Sequence, residues 1–232
     1  MLSVEDLRVA YGGVQAVRGL SLGVQAGQVV GLVGANGAGK TSTLNAITGL
    51  VRYSGRVSLD GHDLAGANTA DIVRRGVVQV AQGRQLFPQM TVLENLEMGG
   101  FLQEPDAVRE GIERMFTRFP VLKERAAQDA GTLSGGEQQM LAMARGLMGR
   151  PRVLLVDEPC LGLSPKMVAR LGEIIQEIHR EGIAVLVVEQ NTAFVFGLAQ
   201  HVYVVENGAV VLEGDPQTLR HDDRVRSAYL GI

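Results

Sequence analysis

Three short stretches of this chain hold the residue types that do chemistry on phosphates. The first is Gly34 to Thr41, GANGAGKT, which follows the apolar run Val29–Val33 and opens a stretch whose Leu44, Ile47 and Leu50 fall at helical spacing. Glycines let such a loop curl and turn successive N–H groups inward, and the following helix adds the positive end of its dipole at the same point. Lys40 would then reach the β- and γ-phosphates and the Thr41 hydroxyl would meet Mg²⁺, so the implied ligand is a nucleoside triphosphate. The second stretch is Leu133-Ser134-Gly135-Gly136-Glu137-Gln138-Gln139, followed by Met140, Leu141, Met143, Ala144 and Leu147 at helical spacing. Ser134 and Glu137 have the spacing of a capping box, which predicts a helix starting at the serine and offering a second anion site through two glycines. The third is Asp157-Glu158 at the end of Val153–Val156, a run apolar enough for a strand covered on both faces. Acids at the carboxyl end of such a strand lie where open α/β sheets bind ligands. Asp157 fits a Mg²⁺ ligand, and Glu158 a base for the water that attacks the γ-phosphate.

The elements that must position these residues can be read around them. Residues 2–9 and 17–24 tend to alternate apolar with polar or small residues, and with Val57 and Leu59 they predict an antiparallel layer. Between the first two strands, Tyr11 precedes Gly12-Gly13, where the ring could stack on a base or plug a turn. Val77–Val80 is a short strand that delivers Gln82 beyond its end. From about 86 to 150 the spacing is helical, at Leu93, Leu96 and Glu97 and again at Val108, Ile112, Met115 and Phe116, which predicts a helical subdomain inserted into an α/β core. The entrance to that segment, residues 85–92, carries Leu86, Phe87, Met90 and Val92, either packed under the helices or exposed as a docking patch. After Asp157-Glu158, Ser164-Pro165 opens a helix with Val168, Leu171, Ile174, Ile175 and Ile178 on one face, closed by Gly182. Residues 183–188 predict another buried strand, Asn207-Gly208 a hairpin turn between strands at 202–205 and 210–212, and residues 216–230 a charged helical tail.

Composition narrows the classes. The chain has 232 residues, enough for one α/β domain with an insert, and its 22 basic against 25 acidic residues give a net charge of −3. No basic field favours nucleic acid as a partner. The single cysteine, Cys160, provides no internal disulfide and suits a reducing cytoplasm. No apolar run reaches the roughly 18 residues of a spanning helix, and the N-terminus alternates like a strand, unlike a signal peptide, so a membrane role would come through a partner.

Taken in order, the phosphate loop, the glutamine after a strand, LSGGEQQ on a capped helix and LLVDEP resemble the ATP-binding subunit of ATP-binding-cassette (ABC) transporters over nearly the whole chain. The resemblance implies a P-loop ATPase fold: a RecA-like α/β core with a mixed, mainly parallel sheet and an N-terminal antiparallel β layer (about 1–82 and 151–232), and an inserted α-helical subdomain (about 86–150), all in one domain spanning 1–232. On that pattern Gly34, Asn36, Gly37, Ala38, Gly39, Lys40, Thr41 and Ser42 form the Walker A loop, and Tyr11 stacks on adenine. Gln82 is the glutamine of the Q-loop, near the metal and the attacking water, and Asp157 and Glu158 end the Walker B strand. Ser134, Gly135 and Gly136 are the signature motif, which closes on ATP held by a second cassette paired head-to-tail. ATP and Mg²⁺ are the implied cofactors. The implied partners are transmembrane permease subunits, a second cassette of the same or a sibling kind and, indirectly, a solute-binding protein, with the subunit peripheral on the cytoplasmic face of the inner membrane.

Two positions depart from the broad family. Gln190 stands where most members carry a histidine switch, and glutamine cannot carry a charge or a proton. Ser164 stands where an aspartate is common in the loop after Walker B. These departures, with FPQMTVLENL, DEPCLGLSP, VEQN and the closing RSAYLGI, resemble the second ATP-binding subunit of branched-chain amino-acid importers, a branch that includes urea and short-amide importers and in which Gln82 is commonly glutamate. A soluble, non-transport ABC ATPase would call for a coiled-coil insert, a basic arm or two fused cassettes, which the sequence lacks.

Overall fold

The structure, a computed structural model, describes residues 1–222. Two sheets organise it. Strands β1 (Leu2–Tyr11), β2 (Val14–Val24), β4 (Ser54–Leu59) and β5 (His62–Asp63) form an antiparallel sheet in the order β2-β1-β4-β5. Strands β3 (Val29–Val33), β6 (Val77–Val80), β7 (Val153–Asp157), β8 (Ala184–Glu189), β9 (His201–Glu206) and β10 (Ala209–Gly214) form the second, in the order β10-β9-β3-β8-β7-β6. Every neighbouring pair in it is parallel except β9–β10.

The second sheet divides two hydrophobic cores, which explains why its strands read as unbroken apolar runs. Val30, Leu32, Val153, Leu155, Leu186 and Val188 pack toward the antiparallel sheet and α1 (Lys40–Ile47). Val29, Val33, Leu154, Val156, Val185 and Val187 pack toward the helices on the opposite face. Those helices include α3 (Val92–Gly99), α4 (Pro105–Arg118), α5 (Pro120–Glu124), α6 (Gly135–Met148) and α7 (Pro165–Arg180). No strand occurs between residues 86 and 150, where the only sheet-like pairing is one bridge, Thr91 to Asp129. Arg118 at the end of α4 pairs with Glu177 and Glu181 on the α7 side, so charge as well as apolar packing ties the helices to the sheet layer.

Several boundaries differ from the sequence reading, each for a local reason. Tyr11 belongs to β1 and pairs with Val14 across Gly12-Gly13, since the hairpin closes in two residues. Helices α2 (Thr69–Arg74) and α8 (Thr192–Phe196) were not predicted because five or six residues do not establish a period. Each is started by an asparagine whose side chain accepts a backbone N–H, Asn68 from Asp71 and Asn191 from Phe194. The hairpin turn at Asn207-Gly208 has both residues at positive φ, 48° and 83°, as a type I′ turn requires. Of the predicted tail helix, α9 (Pro216–Leu219) is present. The remainder of that prediction, and the closing RSAYLGI, lie outside the described residues.

Candidate functional site

The phosphate loop leaves β3 and enters α1, so Lys40 and Thr41 occupy the first helical turn. Gly39 is left-handed, φ 101°, and a side chain there would strike the Ala16 carbonyl oxygen; the loop needs glycine at this point on both counts. One cavity of about 440 Å³ is lined by Tyr11, Ala16, Asn36, Gly37, Gly39, Lys40, Thr41, Ser42, Gln82 and Glu158. The fold thus gathers residues from β1, the loop, the segment after β6 and the end of β7 around one space. Tyr11 is 48 % exposed at its rim.

Charge inside the cavity is carried by two side chains, Lys40 and Glu158, with the neutral amide of Gln82 beside them. Lys40 is buried, and its Nζ donates to the carbonyl oxygens of Gly34 (2.9 Å) and Ala35 (3.1 Å). The same Nζ lies 3.2 Å from Glu158 Oε1, and Gln82 Nε2 donates to Glu158 Oε2 at 2.8 Å. Glu158 is therefore held between a cation and an amide donor. Its backbone is left-handed, φ 45°, unusual outside glycine and costing about 1–3 kcal/mol, and its N–H is held by the Val188 carbonyl at 2.8 Å. Beyond Gln82 the chain runs through three consecutive residues of positive φ, Gly83, Arg84 and Gln85, and Arg84 donates to Gln138 on α6 at 2.9 Å.

Asp157 lies behind Glu158, 2 % exposed, and neither carboxylate oxygen has a hydrogen-bond partner. Its pKa is raised to about 6, first by desolvation and then by the charges of Glu158 and Glu189, while the Thr41 hydroxyl and Lys40 favour ionisation. The Thr41 hydroxyl faces the carboxylate without completing a bond of good geometry. A buried, orphaned carboxylate fits a metal ligand: an acid with nothing to bind is a cost. Among the described residues no three His, Cys, Asp or Glu side chains form a metal cage. In the nucleotide-free protein the raised pKa means the folded state binds more protons than the unfolded chain between about pH 4 and 6, so stability falls as pH rises through that window. Asp157→Asn removes that dependence and stabilises the Mg²⁺-free protein at pH 8 by about 1–3 kcal/mol, a rise of several degrees in melting temperature. Melting curves at pH 4.5 and 8 check both effects.

The signature residues do not line the cavity. Ser134 starts α6 with the predicted capping box: Ser134 N–H donates to Glu137 Oε2 at 2.8 Å, and Glu137 N–H donates to Ser134 Oγ at 3.4 Å. The bond to Ser134 leads in holding the Glu137 carboxyl below the ordinary range, with Arg125 adding its charge. The double glycine has reasons within the chain, because a side chain at Gly135 would crowd the Arg84 guanidinium and one at Gly136 would meet Met167. Gln190 is exposed and also lies off the cavity. Ser164 Oγ caps α7 by accepting the Met167 N–H at 3.4 Å. Cys160 is half-buried, and burial, then the Glu189 charge, push its thiol well above the ordinary value, which makes it a poor nucleophile.

The entrance segment is mostly packed. Val92 is buried and Leu86 and Met90 are partly covered, so of its four apolar residues only Phe87 is exposed. Phe87 lines a groove of about 610 Å³ with Met98, Phe101, Leu102 and Arg145. Asn95, fully buried, holds the loop: Oδ1 accepts the Phe87 N–H, and Nδ2 donates to the carbonyls of Phe87, Met90 and Thr91. Two side chains with structural consequence, Asn95 and Glu189, escape sequence reasoning, because one polar residue in an apolar helix face or at a strand end carries no periodic signal. The T-x-x-E capping box of Thr91 and Glu94 was legible in principle, and it starts α3.

Comparison with known proteins gives the family and the fold. A family model described as ABC transporter matches residues 17–161. BraG, a high-affinity branched-chain amino acid transport ATP-binding protein of Pseudomonas aeruginosa, is 43 % identical over the full length of both chains. LivG of Escherichia coli, of the same description, is 34 % identical over all of this chain and 98 % of its own. Among solved structures, MJ1267, an ATP-binding cassette of an ABC transporter, superposes with a TM-score of 0.90 at 28 % identity, covering 99 % of this chain and 98 % of that one. The chain belongs to the ABC transporter family, as one of its ATP-hydrolysing ATP-binding cassettes.

Proposed function

We propose that this subunit binds and hydrolyses ATP to energise the import of branched-chain amino acids through separate permease subunits. The observation that carries the reading is the single cavity in which the phosphate loop, Gln82 and Glu158 converge while Ser134–Gly136 stay outside it. A cassette with its signature motif apart from its own phosphate loop has half of two sites. A second cassette, facing it head-to-tail, would complete both, so ATP binding closes the pair and hydrolysis reopens it. BraG and BraF of Pseudomonas aeruginosa, both described as high-affinity branched-chain amino acid transport ATP-binding proteins and 43 % and 36 % identical to this chain, support a sibling cassette as the facing subunit.

Within the closed site Lys40 and the backbone N–H groups of Gly37 and Gly39 hold the phosphates, Tyr11 stacks on adenine, and Ser134, Gly135 and Gly136 of the facing cassette contact the γ-phosphate. Thr41, Gln82 and Asp157 are the side chains that would hold Mg²⁺, which would supply charge neutralisation to the phosphates, and Ser42 belongs to the phosphate loop beside them. Glu158 takes the proton of the attacking water. Gln190 meets the γ-phosphate as a neutral hydrogen-bond donor, so this site runs without a histidine relay. Among the described residues no helix is long and apolar enough to cross a membrane, and the Phe87 groove is the feature suited to docking a permease on the cytoplasmic face.

The test is uptake by proteoliposomes holding the subunit, its sibling cassette and the permeases, supplied with the solute-binding protein. ATP-dependent uptake of leucine, isoleucine and valine is expected; uptake of urea or short amides alone would reassign the substrate.

A further inference from the structure

Glu189 closes β8 and is 4 % exposed, and no step described above uses it. Its carboxylate is engaged by backbone donors from two different loops. Oε1 accepts the Cys160 N–H at 2.8 Å; Oε2 accepts the N–H groups of Gln190 at 3.0 Å and Asn191 at 3.1 Å. Cys160 lies two residues beyond Glu158, in the loop that leads to α7, while Gln190 and Asn191 form the turn into α8. The strands that carry these loops are paired neighbours, Asp157 opposite Val188, and the Glu158 N–H is itself held by the Val188 carbonyl.

A buried carboxylate is tolerated only where donors match its charge, and those bonds are the strong, charge-assisted kind. Here the donors come from both loops, so parting the loops would strand the charge. Glu158 also holds a left-handed backbone conformation, which persists only where its surroundings enforce it. We propose that Glu189 is a positioning residue for ATP hydrolysis: it yokes the loop following Glu158 to the loop carrying Gln190, so that both side chains approach the γ-phosphate as one unit. The inference rests on the reading of Glu158 as the base.

The variant Glu189→Gln keeps the shape but replaces one acceptor oxygen with a donor that would face an N–H. Assayed in the complex with its permeases, it is expected to lower kcat about 10- to 100-fold while the KM for MgATP stays within about 2-fold, as displacement of a reacting group predicts. The single cysteine reports on the loop directly. Untethered, and without the neighbouring negative charge, Cys160 should react with a maleimide at least about 5-fold faster. Full-rate hydrolysis by Glu189→Gln overturns the proposal. So does slow hydrolysis with Cys160 labelled at the wild-type rate, because the loss would then arise elsewhere. Should Glu189→Gln fail to fold, Glu189→Asp, with the charge on a shorter stem, carries the same comparison with changes of about 3- to 10-fold in the same directions. Glu158→Gln, assayed alongside, separates the two readings: full turnover by that variant removes the base assignment whatever Glu189→Gln does.

Discussion

Glu158→Gln retains ATP and hydrolyses it about 10²- to 10⁴-fold more slowly, the loss typical of a missing general base. The geometry adds a second effect. The Glu158 carboxylate lies 3.2 Å from Lys40 Nζ and accepts from Gln82 at 2.8 Å, so it holds the cation that the γ-phosphate would need. A neutral amide does not compete for that cation, and ATP affinity in the variant is therefore equal to or higher than in the wild type. Before ATP arrives, the opposite holds. Lys40 is buried, and removing its ion-pair partner leaves its charge to two carbonyls and the field of Asp157, an arrangement that destabilises. Nucleotide-free Glu158→Gln should consequently melt several degrees below wild type and recover most of that difference with MgATP. Steady-state turnover, nucleotide titration and melting curves check the three parts. Unchanged turnover would transfer the base role to another group, and a variant that cannot bind ATP would show that Glu158 acts through the architecture of the loop.

Phe87→Asp leaves ATP binding intact and abolishes co-purification with the permeases. The expectation follows from how firmly the ring is presented. Asn95 grips both the N–H and the carbonyl of Phe87, at 3.0 Å each, and the Arg145 guanidinium lies 5.4 Å from the ring centroid. Around it Met98 and Phe101 are also exposed, Phe101 by 76 %. A pre-organised aromatic beside an apolar groove has the character of an interface anchor, whose truncation costs roughly 2 kcal/mol or more, about 30-fold in affinity, and a buried carboxylate costs more. Met90, partly covered and with its carbonyl accepting the Ala130 N–H, contributes less to this surface than Phe101 does. Phe101→Asp should therefore match Phe87→Asp in weakening recruitment. Normal co-purification of both variants would place permease docking on another face.

The residues proposed to act on phosphate were legible because such chemistry demands local spacing. A loop that wraps phosphates must set its glycines and Lys40 within one turn, and a capping box needs Ser134 and Glu137 three apart; such constraints are written along the chain and survive without a fold. The long amphipathic segments were legible for the same reason, since α4, α6 and α7 repeat their periods over 14 to 16 residues. Short elements such as α2 and α8 were not, because a single asparagine cap starts each and five or six residues carry no period.

The phosphate loop, the capped signature helix and the strand ending in two acids are each a matter of neighbours along the chain, and so could be read without a fold. What they become together is a matter of three-dimensional packing. It placed Glu158 between Lys40 and Gln82, residues 118 and 76 positions away along the chain, left Asp157 buried without a partner, and tied two loops to Glu189. Those relations depend on the order of strands in the sheet, where β3, β8, β7 and β6 lie side by side although they are far apart in the chain. Hydrogen bonding between strands is indifferent to sequence distance, so their partnership is settled by how the two cores pack on either face.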